Sequence, residues 1–109
     1  MAEKVLIALS TFPDAEIARR ISNHLVTERF AACANIFSSV ESIYRWKEQI
    51  ESGNEIFVVF KVSEERQSAF QNKLQSLHPY DGPEIIFVPV AGGLREYLQW
   101  VSENCGQPR

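Results

Sequence analysis

The chain has 109 residues, 45% hydrophobic and 23% charged, with a formal net charge of -3 at pH 7; this fits one globular domain, residues 1–109, and not a disordered segment. Its 11 lysines and arginines are scattered rather than gathered into a stripe, which sets nucleic acid aside as a partner. No apolar run approaches the ~20 residues that span a bilayer, and the segment Met1-Ala2-Glu3-Lys4 before the first apolar run is too short for a signal peptide, so no membrane partner and a cytoplasmic location are expected.

Val5 to Leu9, following Lys4, is apolar without alternation, as in a strand covered on both faces, and reads as the first strand. Ser10-Thr11-Phe12-Pro13-Asp14 then reads as a turn. Ile17, Ile21 and Leu25, with Ala18, recur at helical spacing through about Thr27, with Asp14 and Glu16 near the positive end of that helix. His24 is a half-exposed residue of this helix rather than a ligand.

Phe30 to Phe37 opens a second extended segment, which resumes at Val40 with clear alternation. Val40, Ser42, Tyr44 and Trp46 share one side, and Glu41, Ile43, Arg45 and Lys47 the other. A polar patch from Lys47 to Asn54 returns the chain into the strand Glu55 to Val62. The two form a hairpin whose arms are expected to exceed the mean strand length of about 5 or 6 residues and to overhang the sheet, inviting pairing with another chain. Cys33, inside an apolar run, reads as core and Cys105 as an incidental tail residue. They form no CxxC pair, so neither a zinc ribbon nor a disulfide scaffold is indicated.

Ser63 reads as a helix cap, with Ala69, Phe70, Leu74 and Leu77 as the apolar stripe of a second helix. His78-Pro79-Tyr80-Asp81-Gly82-Pro83-Glu84-Ile85 ends it. Each proline fixes its own φ and pushes the preceding residue out of the helical region, so this turn is rigid and can present His78, Tyr80, Asp81 and Glu84 accurately to a metal, a small ligand or a neighbouring subunit. Glu84 to Val90 is a further strand, placed at an edge or bulge by Pro89. After Gly92-Gly93, Leu94, Tyr97, Leu98 and Val101 recur at helical spacing in a third helix that Gly106 and Pro108 close.

The order β-α-β-β-α-β-α predicts an α+β fold, a ferredoxin-like βαββαβ sandwich with an added C-terminal helix. In that topology two helices cover one sheet face, yet the first, third and last strands are apolar on both faces. Covering the second face then requires a homo-oligomer, and several hundred Å2 of apolar surface at about 25 cal/mol per Å2 would stabilise one by on the order of 10 kcal/mol before association costs. No nucleophile, zincin or phosphate-loop motif is present, and catalysis, for which His78 and Glu84 would be the acid–base pair, is not expected. Lys61 and Glu84, each at the end of an apolar strand, are placed to form an ion pair or to share a small anion.

Several stretches taken together resemble the CutA divalent-ion tolerance proteins nearly end to end: Ala31-Ala32-Cys33-Ala34-Asn35-Ile36, Ser42-Ile43-Tyr44-Arg45-Trp46, Glu55, Lys61, His78-Pro79-Tyr80 with Pro83-Glu84-Ile85, and Tyr97-Leu98 with Trp100-Val101. The resemblance implies a ferredoxin-like fold, a tight homotrimer of PII-like architecture with clefts at the subunit junctions, and a link to copper and other divalent cations. The family's proposed metal ligands are a cysteine after the first strand and paired histidines before Pro-Tyr. Here Ser10 and Leu77 replace two of them, leaving His78 with Cys33 as metal ligands for weakly bound copper or another divalent cation. Trp46, Lys61, Tyr80 and Glu84 are the expected inter-subunit cleft residues. They suit a small polar or anionic ligand as well as a cation, so the alternative is a PII-like signalling or interaction module that binds a small metabolite.

Overall fold

The computed structural model describes residues 4–106. Its elements are β1 (Val5–Phe12), α1 (Ala15–Thr27), β2 (Cys33–Trp46), β3 (Gln49–Ser63), α2 (Gln67–Leu77) entered through a 3-10 turn (Glu64–Arg66), β4 (Ile86–Pro89) and α3 (Arg95–Glu103). The strands form one antiparallel sheet in the order β2-β3-β1-β4, the expected ferredoxin-like α+β architecture with an added helix. Pro89 lies on an edge strand, where its missing N–H costs no ladder bond.

The sheet has two unlike faces. Ala8 and Phe12 of β1 alternate onto one face with Val58, Phe60 and Val62 of β3, and all are fully buried with Ala18 and Leu25 of α1 and Phe70 and Leu74 of α2. Phe60 meets Phe70 edge-on at 5.1 Å. On the other face α3 covers only one end. There the register pair Val5 and Ser63 is buried, Val101 is fully buried, and the Ser63 N–H donates to Cys105 Sγ at 3.4 Å. Along the rest of that face Ile7, Leu9, Phe57 and Val59 are half-buried, and Phe37, Ile86 and Val88 are 44–50% exposed.

The hairpin departs from expectation at its turn. The polar stretch 49–54 is not a loop: it is paired strand, with Trp46 opposite Gln49 and Glu41 opposite Asn54. The turn is only Lys47 and Glu48, both at positive φ (48° and 67°), the backbone that tight two-residue hairpins require to match strand twist. Gly53 and Asn54 have turn-forming composition, but their pairing with β2 prevails. β1 likewise runs on through Ser10, Thr11 and Phe12, each paired with β3.

The two cysteine assignments also reverse. Cys105 is 7% exposed, held between the Ser63 N–H and the Phe30 carbonyl. Cys33 is half-buried on the open face. The Ser63 side chain makes no capping bond at the 3-10 turn, whereas Asp14 caps α1 by accepting from the Ile17 N–H at 2.8 Å. Truncating Phe60→Ala should lower stability by about 3–5 kcal/mol, as for other fully buried aromatics, measured by denaturant unfolding at fixed protein concentration.

Candidate functional site

The rigid turn after α2 builds a hydrogen-bonded cluster around His78. Pro79 holds His78 in an extended conformation at the helix C-cap (φ -72°, ψ 137°), which swings its ring under β1. There it is 7% exposed and stacks on Phe12 at 4.7 Å. Nδ1 accepts from the Tyr80 N–H at 3.2 Å, and Nε2 lies 2.8 Å from the Thr11 carbonyl oxygen. A carbonyl only accepts, so Nε2 carries the proton and the ring is neutral with both nitrogens engaged. Burial lowers the His78 pKa, opposed by the Thr11 carbonyl and the Glu55 charge.

Tyr80 extends the cluster. Its hydroxyl donates to Glu55 Oε2 at 2.7 Å, and its ring lies 4.8 Å from that of His78. Burial, then the bond to Glu55, raises its pKa. Glu55 is the residue beyond Ile56–Phe12, the last β1–β3 pair. The cluster therefore clamps the root of the projecting hairpin. Sequence reading left Glu55 out of the candidate site; the signal was a lone carboxylate at the head of an apolar strand.

A second group lies at the far end of the sheet. Cys33 and Lys61 are register partners, and Asn35 Oδ1 accepts from Lys61 Nζ and lies 3.6 Å from Cys33 Sγ. Lys61 thus bonds Asn35 rather than Glu84. The Tyr97 pKa is raised, chiefly by burial and then by Cys33 beside it. Cys33 sits in the row of Ile7 and His78 in that of Thr11, four residues or about 13 Å along the sheet. One chain therefore does not bring these two side chains together. Trp46 is 61% exposed beside the hairpin tip, and Glu84 is exposed on the rigid turn. No group of three or more His, Cys, Asp or Glu is arranged for a metal ion among the described residues.

A family model described as "CutA1 divalent ion tolerance protein" matches residues 6–104. The chain belongs to the CutA1 family. A similar relative is the divalent-cation tolerance protein CutA of Thermus thermophilus, 42% identical and covering 97% of this chain and 100% of that protein. Among solved structures, a divalent cation tolerance protein (Cut A1) from Thermus thermophilus superposes with a TM-score of 0.91 at 40% identity, over 94% of this chain and 99% of that one. CutA from Xylella fastidiosa superposes with a TM-score of 0.90 at 40% identity, over 94% and 98%. This CutA1 member has Ser10 fully buried on the helix-facing side of β1 and Leu77 half-buried, at the two positions where the resemblance implied Cys and His.

Because the folded His78 pKa lies below its ordinary value of 6.5, its contribution to stability is present above about pH 6.5 and lost as pH falls through the folded pKa. Stability should therefore drop as pH falls below about 6.5, and His78→Asn, which keeps an acceptor near Nδ1, should flatten that part of the profile in denaturant titrations. Tyr80→Phe should cost about 1.5 kcal/mol, since its part-buried bond to a carboxylate falls at the low end for charged partners.

Proposed function

We propose that this CutA1-family protein acts in divalent-cation tolerance as a homotrimer whose cation ligands are drawn from more than one subunit. The observation that carries the reading is the open sheet face, which continues without a break onto the projecting hairpin. Residues 49–55 of β3 pair with β2 alone, and an isolated two-stranded ribbon is marginal in water. Tyr44 and Trp46 on the open-face side and Ile43 and Ile50 on the other are all exposed in the single chain. Second and third copies of the same chain would cover both ribbon and open face, leaving clefts lined by Trp46, Lys61, Tyr80 and Glu84.

Weak cation binding at the junctions follows from the donors. Cys33 offers a half-buried thiol, with the Lys61 ammonium close by on Asn35 to oppose a second cation. His78 joins a copper ion only if Nδ1 releases the Tyr80 N–H or Nε2 its proton. The free thiols of Cys33 and Cys105 suit a reducing compartment such as the cytoplasm. We read the protein as binding rather than catalytic, since His78 and Glu84 share no bond.

Sedimentation at micromolar concentration should give a species three times the 12.4 kDa chain mass, and Trp46→Glu should yield a monomer that keeps its helical far-UV dichroism. A monomeric wild type would contradict the reading. In calorimetric titration of copper, Cys33→Ser and His78→Ala should each weaken binding by about tenfold, the scale of losing one ligand contact. Affinity unchanged in both would exclude these side chains as ligands.

A further inference from the structure

A groove of about 460 Å3 runs between α1 and the start of β2, with Trp100 of α3 in its lining. We infer that it binds a small planar organic anion: a carboxylate carried on an aromatic or heteroaromatic ring. The volume lies within the ~300–1,000 Å3 range of small-molecule sites, and the lining divides into parts that match such a ligand.

Arg19 stands exposed at this groove on α1. Its planar guanidinium fork takes a carboxylate bidentately and is the group least suited to a metal cation. One helical turn on, Ser22 and Asn23 face the same space. Ser22 is 3% exposed, and its hydroxyl has no hydrogen-bond partner among the described residues. Buried hydroxyls ordinarily have a partner. A second carboxylate oxygen or a ring heteroatom of the ligand would supply that partner.

The remaining lining suits a flat apolar body. Val26, Ala34 and Ile36 supply aliphatic surface, and Trp100 supplies an indole face. That indole is held in place, because Tyr97 stacks on it at 5.6 Å with 27° between the planes, while the Tyr97 phenol lies beside Cys33. An aromatic wall ordered in advance reduces the entropy lost on binding. Cys33, the proposed cation ligand, also lines the groove, so the test below is made without added metal and its outcome is separate from that of the copper titration.

The test uses benzoate as the probe and nuclear magnetic resonance on the 15N-labelled full chain. The two tryptophans, Trp46 and Trp100, give two indole N–H signals, assigned with Trp46→Phe. Benzoate should shift the Trp100 signal saturably and leave that of Trp46 in place. Cyclohexanecarboxylate, with the charge but no flat ring, and benzamide, with the ring but no charge, should bind at least about tenfold more weakly. Arg19→Gln, at an exposed helix position where folding is tolerant, should weaken benzoate about tenfold, the loss of a charge-assisted pair. Absence of a saturable Trp100 shift, equal binding of cyclohexanecarboxylate, or unaltered affinity in Arg19→Gln would each overturn the inference.

Discussion

One extra residue in β2 keeps the open face continuous. From Cys33 to Phe37 the strand pairs with β3 in one register, and from Val40 to Trp46 in a register shifted by one, so that Ser38 and Ser39 stand opposite Ile56. Side chains alternate along a strand, so a one-residue shift reverses which residues share a face. The bulge therefore carries Val40, Tyr44 and Trp46 onto the same face as Cys33, Asn35 and Phe37. Without it that face would pass from Phe37 onto Glu41, Ile43 and Arg45, and Tyr44 and Trp46 would turn away. At about 3.3 Å per residue the 14 residues of β2 reach about 45 Å, consistent with a longest dimension of 47 Å. β2 thus runs nearly the full length of the molecule.

The root of the ribbon is clamped rather than left free. Where β3 loses its β1 partner after Ile56, Glu55 accepts from Tyr80, whose backbone N–H is bonded to His78, which in turn is tied to the Thr11 carbonyl. Pro79 and Pro83 make the turn that carries these groups stiff. The turn thus serves first to aim the arm, and this explains why both His78 nitrogens are taken. A second clamp works at the opposite end of the sheet. Arg29 donates to the Glu103 and Gly106 carbonyls, and the Gly106 N–H donates back to the Arg29 carbonyl, so α3 is tied down over the end of the sheet that it covers.

The fold was legible in the sequence because its elements carry strong periods. The helical stripe Ile17, Ile21, Leu25 and the strand run Ile56 to Val62 each correspond to an observed element. The hairpin turn was not legible, since Gly53 and Asn54 have turn-forming composition while Lys47 and Glu48, at positive φ, do not. The cysteines misled for a related reason: local apolar context made Cys33 look buried, whereas burial of Cys105 depends on where α3 docks, which no local pattern encodes. Of the candidate site, the rigidity of the turn and the importance of His78 and Tyr80 were readable. Their partners Glu55 and Thr11 lie 25 and 67 residues away, and only the register of the sheet brings them near.

The account stands on the ribbon being covered by other copies of the same chain. Hydrogen–deuterium exchange of the backbone amides of residues 40–54 tests this most directly, because a lone ribbon opens readily whereas one packed between subunits opens only with the assembly. At micromolar concentration these amides are predicted to exchange as slowly as those of β1. Exchange complete within seconds, with β1 still protected, would contradict it.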